Sequence, residues 1–228
     1  MSVSQNISLL RQRIAAACER VGRRPGDVML LPVTKTVPVK VIREAAAEGL
    51  TAIGENRVQE AAEKYAELGS EVIWHLVGHL QTNKVKKALA IFSVIQSVDS
   101  LRLAEELQRQ AEALGRAVEI HLEVNTSGEA SKFGIEPSAA PALARRIAGL
   151  PSLQLRGLMT VGALTSDREQ LRACFRTLRQ LRDEINGMDL KGVRVDTLSM
   201  GMTDDFEMAI EEGSTLVRVG RAIFGERN

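Results

Sequence analysis

The chain is poor in aromatic residues, poor in cysteine and nearly without net charge, and each shortage removes a class of function. Phe, Trp and Tyr make up 3% of the 228 residues, with one Trp and one Tyr. That leaves too few flat rings for the base-stacking platforms that hold single-stranded nucleic acid. Lys and Arg exceed Asp and Glu by one, so no global field draws the chain to nucleic acid or to an anionic membrane. Two cysteines, Cys18 and Cys174, lie in helical patterns and share no metal-ligand spacing. No metal site is expected, and a reducing, cytoplasmic setting is. No apolar run is long enough to cross a bilayer. The amino-terminal MSVSQNISLLRQRIAAACER interrupts its apolar pattern with arginines, unlike a signal peptide. No glycine-rich dinucleotide fingerprint follows the first strand-like run.

What is present is an ordinary globular composition, 44% hydrophobic and 26% charged, on a chain long enough for a real core. No linker, low-complexity segment or short repeat divides it, so residues 1–228 are read as one domain. The spacing of Ile7, Leu10, Ile14, Ala17 and Val21 predicts a leading helix. Strand-like apolar runs follow at Val28–Thr36, Thr51–Gly54, Val72–Val77, Ile91–Val98, Val118–Asn125, Leu153–Val161, Val193–Ser199 and Leu216–Val219. Helical periodicity lies between them, as in Leu101, Ala104, Leu107, Ala111 and Leu114, or Leu171, Phe175, Leu178 and Ile185. Pro38 opens one helix and Gly49 closes it. Thr203 is expected to cap another, with Asp204 and Asp205 in its first turn and Gly213 at its end. Eight strands alternating with helices imply an α/β fold with a parallel sheet. In this length they imply a closed (β/α)8 barrel, with an open doubly wound sheet as the alternative.

One lysine then stands out. Val28–Thr36, VMLLPVTKT, is an apolar run that ends with Lys35 between two threonines. Burial disfavours an ammonium and leaves more of the neutral amine. The neutral amine attacks an aldehyde to make a Schiff base. In barrels of this kind, chemistry sits at the carboxyl ends of the strands, and phosphate is held by the loops after strands seven and eight. Those loops are LSMGMTDD (Leu198–Asp205) and RVGRAIFG (Arg218–Gly225). Ser199 offers a hydroxyl, and the amides of Gly220 and Arg221 open a new turn, where anions are bound. Strand eight neighbours strand one in a closed barrel, so this pocket falls beside Lys35. Either loop alone reads as an ordinary glycine turn; together with Lys35 they point to an aldehyde that carries a phosphate. Arg218 at the end of the last strand reads alone as an ion pair or a solvated end, and otherwise as a permanent cation facing a cofactor's ring nitrogen.

GENRVQE (Gly54–Glu60) follows strand two. Asn56 is placed to hydrogen-bond a cofactor oxygen, while Arg57, Gln59 and Glu60 are expected on a helix surface. His75 and His79, four apart but in a strand-and-loop pattern, are read as structural, as is His121. Lys132, in NTSGEASKFGI, is expected to be solvated, and Met159 and Thr160 to line the barrel.

Together the motifs VTKTVP, GENRVQE, WHLVGHLQTNK, NTSGEASKFGI, GLMTVG, LSMGMTDDFEMAI and STLVRVGRAIFGER resemble the pyridoxal phosphate homeostasis protein family, known as YggS/PROSC. The resemblance runs nearly end to end, in the expected order. It implies a modified TIM barrel like the amino-terminal domain of alanine racemase, here with an extra amino-terminal helix. It implies pyridoxal 5′-phosphate (PLP) as cofactor, Lys35 as the Schiff-base lysine, and a phosphate held at Ser199, Gly220 and Arg221. Arg218 matches the arginine that faces the ring nitrogen in the related racemases, and Asn56 lines the same pocket. Many relatives carry Thr or Ser at position 221. With Arg221 a hydroxyl contact is lost, the backbone amide remains, and the side chain either reaches the phosphate or points away.

The related racemases add a second domain that supplies a tyrosine base, and racemisation needs bases on both faces. The only tyrosine here is Tyr65, in the helical stretch after strand two, and the sequence stops soon after the last barrel strand. The expectation is therefore a non-enzymatic, monomeric, cytoplasmic carrier that keeps PLP on Lys35 and hands it to apo PLP-dependent enzymes, with no nucleic acid or membrane partner. A weak amino acid racemase or other PLP enzyme is the alternative. A barrel aldolase using Lys35 on a sugar carbonyl is a third reading, disfavoured by the motif set.

Overall fold

A computed structural model describes residues 1–225. Glu226 and Arg227, which close the last motif, lie outside the described residues. The strands are β1 (Met29–Pro32), β2 (Ala52–Glu55), β3 (Ile73–Leu76), β4 (Val94–Val98), β5 (Val118–Glu123), β6 (Leu153–Met159), β7 (Thr197–Ser199) and β8 (Leu216–Val219). All pair in parallel, in the order β1-β8-β7-β6-β5-β4-β3-β2. The two ends of that order meet at a bridge between Val33 and Gly54, where the Thr34 amide donates to the Gly54 carbonyl at 2.9 Å. The sheet is thereby brought round into a nearly closed (β/α)8 barrel.

The helices are α1 (Val3–Arg20), α2 (Val39–Ala47), α3 (Val58–Leu68), α4 (Val85–Leu89), α5 (Leu101–Ala113), α6 (Ala140–Ile147), α7 (Arg168–Gly187), α8 (Phe206–Glu211) and α9 (Arg221–Phe224). α1 starts at a capping box, Ser2 with Gln5, and buries Ile7, Leu10, Ile14 and Ala17. Those side chains pack on Val28, Leu30, Val217 and Val219, so the extra helix covers the outside of β1 and β8. Val21 ends the helix at its C-cap and is 40% exposed, so it is outside the stripe.

The wall of the barrel has two characters, set by the period of two along each strand. Trp74 and Leu76, Ile95, Ile120 and Leu122, and Leu198 point outward into the apolar layer beneath the helices. The residues between them, His75, Gln96, His121, Glu123 and Ser199, are buried and polar, and with Arg218 they fill the inside. Gly157 makes room for one of them, because a Cβ there would stand 2.6 Å from the His121 ring.

Three expectations shift. The first strand stops at Pro32, short of Thr36, because Thr36 takes φ +61°, a left-handed conformation no strand permits. β7 lacks Val193–Asp196, since both backbone groups of Val195 are taken by the Asn186 side chain at 2.9 Å. Thr203 does not cap α8. Asp205 holds that position, and its carboxylate accepts from the Met202 amide instead.

Candidate functional site

A cavity of about 240 Å³ opens at the carboxyl ends of β1, β2 and β8. Five of the six residues expected to bind a cofactor line it: Lys35, Asn56, Arg218, Gly220 and Arg221. Lys35 lies in the turn after β1 and is half-buried, not in the strand itself. Its neighbours on both sides are fixed from α3. The Lys64 ammonium donates to the Thr34 carbonyl at 2.6 Å and to Glu55 and Glu60 at 2.7 Å each. Glu60 in turn accepts from the Thr36 amide, and Glu55 from the Thr34 hydroxyl at 2.6 Å. Left-handed backbone at a β-branched residue is strained by about 1–3 kcal/mol and persists only where its surroundings dictate it. Here the Glu60 contact at Thr36 does so, and the strained residue adjoins Lys35.

Glu60 is therefore not the surface residue expected from the sequence, although Arg57 and Gln59 are exposed. Burial works against its ionised form, but Lys64 and the Thr36 amide prevail and lower its pKa. Glu55, fully enclosed, is pushed up by burial, with Lys64 and the Thr34 hydroxyl opposing. Lys64 and Glu55 were legible only as an acid at the end of an apolar run and a lysine on a helix. The i, i+4 spacing of Glu60 and Lys64 was the one available signal.

Asn56 follows β2, and its side-chain oxygen is buried with no hydrogen-bond partner. A buried amide left unsatisfied at the wall of a cavity is poised for a ligand polar atom. Gly78, after β3, is packed against its backbone: a Cβ there would stand 2.2 Å from the Asn56 carbonyl oxygen. No side chain is tolerated at 78 without displacing Asn56.

Arg218 reaches into the barrel from β8. Its guanidinium donates to the Ser199 carbonyl at 2.6 Å, the Ser199 hydroxyl at 2.7 Å and the Thr160 carbonyl at 2.7 Å. Burial brings its pKa down to about 10, against the pull of Asp205 and Glu123, so it stays a cation at neutral pH. Ser199, the sixth of the expected residues, does not line the cavity. Ser199 is fully buried, donates to Gln96 Oε1 at 2.6 Å and receives Arg218, so its hydroxyl is spent on orienting the arginine. Gln96 also meets His75 Nδ1 at 2.9 Å, which makes a chain from β8 to β3.

Gly220 is the N-cap of α9, and Arg221 is its first residue. Amides in a helix's first turn have no intrahelical partner. The Arg221 side chain is ion-paired with Asp204, across the loops after β7 and β8. The pair lies on the cavity rim, with both side chains exposed to solvent.

Elsewhere at the mouth, Lys132 departs from the solvated default, donating to Glu129 at 2.6 Å and to the Gly162 carbonyl at 2.7 Å. His75 and His121 are buried inside the barrel, and His79 pairs with Asp99 at 3.1 Å. Met159 and Thr160 are fully buried, with Thr160 bonded to the Thr126 hydroxyl at 2.9 Å. Glu123 was missed by the sequence reading altogether. Burial and the nearby Asp99 raise it to about 7, with Arg218 opposing.

An amine, an unsatisfied amide, a caged guanidinium and a helix start around one cavity are the donor set that an aldehyde with an anionic tail requires. The comparisons with known proteins agree. Residues 6–228 match the model of the family described as alanine racemase, N-terminal domain. The pyridoxal phosphate homeostasis protein of Pseudomonas aeruginosa is 43% identical over all of this chain and 96% of its own length. PipY of Synechococcus elongatus PCC7942, in a structure with PLP bound, is 37% identical at a TM-score of 0.86, covering 98% of this chain and all of PipY. An alanine racemase of Clostridium difficile shares the fold alone: 16% identity and a TM-score of 0.73, covering 98% of this chain and 57% of the racemase. The chain belongs to the alanine racemase amino-terminal-domain family and, within it, to the pyridoxal phosphate homeostasis proteins.

Proposed function

We propose that this chain binds pyridoxal 5′-phosphate as a Schiff base on Lys35, holds it as a cellular reserve and delivers it to apo PLP-dependent enzymes. The observation that carries the reading is the single cavity that gathers Lys35, Asn56, Arg218, Gly220 and Arg221. When bound, the cofactor supplies the aldehyde. The protein's residues do the rest. Lys35 is the nucleophilic amine, and the Lys64–Glu60 cluster fixes its turn. The amides of Gly220 and Arg221 receive the phosphate, with Arg221 held by Asp204 at the rim. The Asn56 side-chain amide hydrogen-bonds a ring oxygen, its NH2 donating to a phenolate or its unsatisfied Oδ1 accepting from a phenol hydroxyl. Arg218 faces the ring nitrogen, and a cation there disfavours protonating that nitrogen, which restrains carbanion chemistry. Ser199 acts through Arg218.

The carrier reading is favoured over a racemase. Relatives at this identity are named for homeostasis. Tyr65, the only tyrosine in the sequence, sits in α3 with its ring against Trp74, centroids 5.6 Å apart, and supplies no base at the cavity. We read the chain as one binding domain that works as a cytoplasmic monomer.

Borohydride reduction of the PLP-treated protein followed by peptide mapping tests this reading. A pyridoxyl group on Lys35, absent from Lys35→Ala, is the expected result; an adduct only at other lysines overturns it. Sustained exchange of amino acid α-hydrogens for deuterium would overturn the carrier assignment.

A further inference from the structure

The cavity beside Lys35 carries one charge of the wrong sign for an anion. Among the described residues that line it, Lys35, Arg218 and Arg221 are cations and Asp204 is the one acid. Asp204 lies in the loop after β7, and Arg221 opens α9. Their side chains pair across the rim. The neighbouring acid is tied down. Asp205 is the N-cap of α8, and its carboxylate accepts from the Met202 amide. Asp204 is held more loosely, because its pair with Arg221 is open to water: the arginine side chain is 51% exposed and the carboxylate 77%. Ion pairs this exposed are worth little, since solvent screens the attraction and two side chains give up freedom to keep one geometry.

The geometry points to Asp204 as a specificity-determining residue, an internal carboxylate that occupies Arg221 and yields it to a dianionic phosphate but not to a monoanion. A phosphate monoester brings a charge of about −2 and three acceptor oxygens. A guanidinium grips such a group through two parallel N–H donors. When the dianion enters, Arg221 turns from Asp204 to the phosphate, and Asp204 is left to solvent. A monoanion meets an arginine that is already neutralised and a carboxylate that repels it. By competing for Arg221, Asp204 also lowers the affinity for the dianion itself, which suits a protein that gives its ligand up. The inference deepens the PLP reading and rests on it for the identity of the dianion.

The test uses the cofactor-free protein and two probes that carry no aldehyde. Methyl phosphate at pH 8 is a dianion, because the second pKa of a phosphate monoester is about 6. Methyl sulfate has nearly the same shape and a single charge. Each is titrated into the wild-type protein, Asp204→Asn, Arg221→Thr and the double variant, while the backbone amide resonances of Gly220 and Ala222 are followed by NMR. Well-dispersed spectra establish that the variants fold. The wild-type protein should prefer methyl phosphate. Asp204→Asn should tighten methyl phosphate by about two- to fivefold, the worth of an exposed pair. It should tighten methyl sulfate more, so that the preference narrows. Arg221→Thr should weaken methyl phosphate, and in that background Asp204→Asn should change its binding by less than about twofold. Equal tightening in both backgrounds would mean that Asp204 acts through its field alone, which overturns the exchange. Methyl phosphate binding that is absent from the wild-type protein or untouched by Asp204→Asn, or a preference that does not narrow, overturns the role of Asp204. If this double-mutant pattern holds but borohydride leaves no pyridoxyl group on Lys35, the PLP reading fails alone. If the adduct forms and the two residues show no coupling, the role of Asp204 fails alone.

Discussion

Lys64 and Arg218 are both buried cations, on opposite faces of the same barrel wall, and they are accommodated differently. Lys64 lies on the outside, where α3 packs against β2, and is bonded to two carboxylates, Glu55 and Glu60, and to the Thr34 carbonyl. Arg218 lies on the inside and is bonded to two carbonyls and a hydroxyl. Its carboxylate neighbours, Asp205 and Glu123, act on it only through the field. Neutralised by carboxylates, Lys64 is a strut. Caged by dipoles that leave its charge intact, Arg218 keeps a positive field at the cavity. The strut sets where Lys35 stands, and the caged cation sets the field in the cavity that Lys35 lines.

The largest effect is expected at the strut. Lys64→Met removes the cation bonded to both Glu55 and Glu60, and breaking a buried pair from one side costs about 3–5 kcal/mol. Urea unfolding should show that loss, and adduct formation at Lys35 should slow because Thr34 and Thr36 are released. A loss below about 1 kcal/mol would mean that the cluster is no more than a surface ion pair, and the contrast with Arg218 would disappear.

Why this strut was hidden in the sequence while the barrel was not follows from the range of the interactions. Eight apolar runs alternating with helical periodicity are local signals, and the parallel order needs nothing more. Lys35, Asn56, Gly220 and Arg221 were legible because strand ends and glycine turns locate a barrel's mouth. Lys64 takes its meaning from Thr34, thirty residues earlier in the chain, and only the meeting of β1 with β2 at Val33 and Gly54 brings them together. A helical Glu60–Lys64 pair is ordinarily solvated, so the spacing alone gives no sign of burial. Ser199 differs for the complementary reason. Its hydroxyl was visible beside a glycine turn, but its bond to Gln96, 103 residues away, holds it inside the barrel, outside the lining of the cavity.

A somewhat smaller effect is expected at Glu123, and it has a definite pH window. Its folded pKa, about 7, lies above the ordinary 4.5, so the fold favours the protonated form. The stability from this group is full below about pH 4.5 and is lost as pH rises through 7, up to about 3 kcal/mol by linkage. Glu123→Gln cannot ionise. It should match the wild-type protein at pH 4 and exceed it by up to about 3 kcal/mol at pH 8. Equal stability at both pH values would mean that Arg218 fully compensates Glu123, and the inside of the barrel would then hold an ion pair as the outside does.

The smallest loss of stability, and the sharpest test of the contrast, is expected from Arg218→Met. The substitution leaves the Thr160 carbonyl without its donor, which costs about 1–3 kcal/mol, while the Ser199 carbonyl keeps the Thr160 amide at 3.1 Å. It also relieves the fold of a desolvated cation, so the net loss should fall below that of Lys64→Met. The consequence for the ligand runs in the opposite order. If Arg218 faces the ring nitrogen, a neutral side chain there no longer opposes protonation of that nitrogen. The visible absorption of the PLP-loaded variant should then titrate across a pH range where the wild-type spectrum is constant. Lys64→Met, which touches the lysine's turn and not the ring, should leave that spectrum constant while losing more stability. Two variants that separate stability from spectrum in this crossed way distinguish a strut from a field source; if both move the spectrum alike, the two cations do the same work and the distinction drawn between the faces of the wall is wrong.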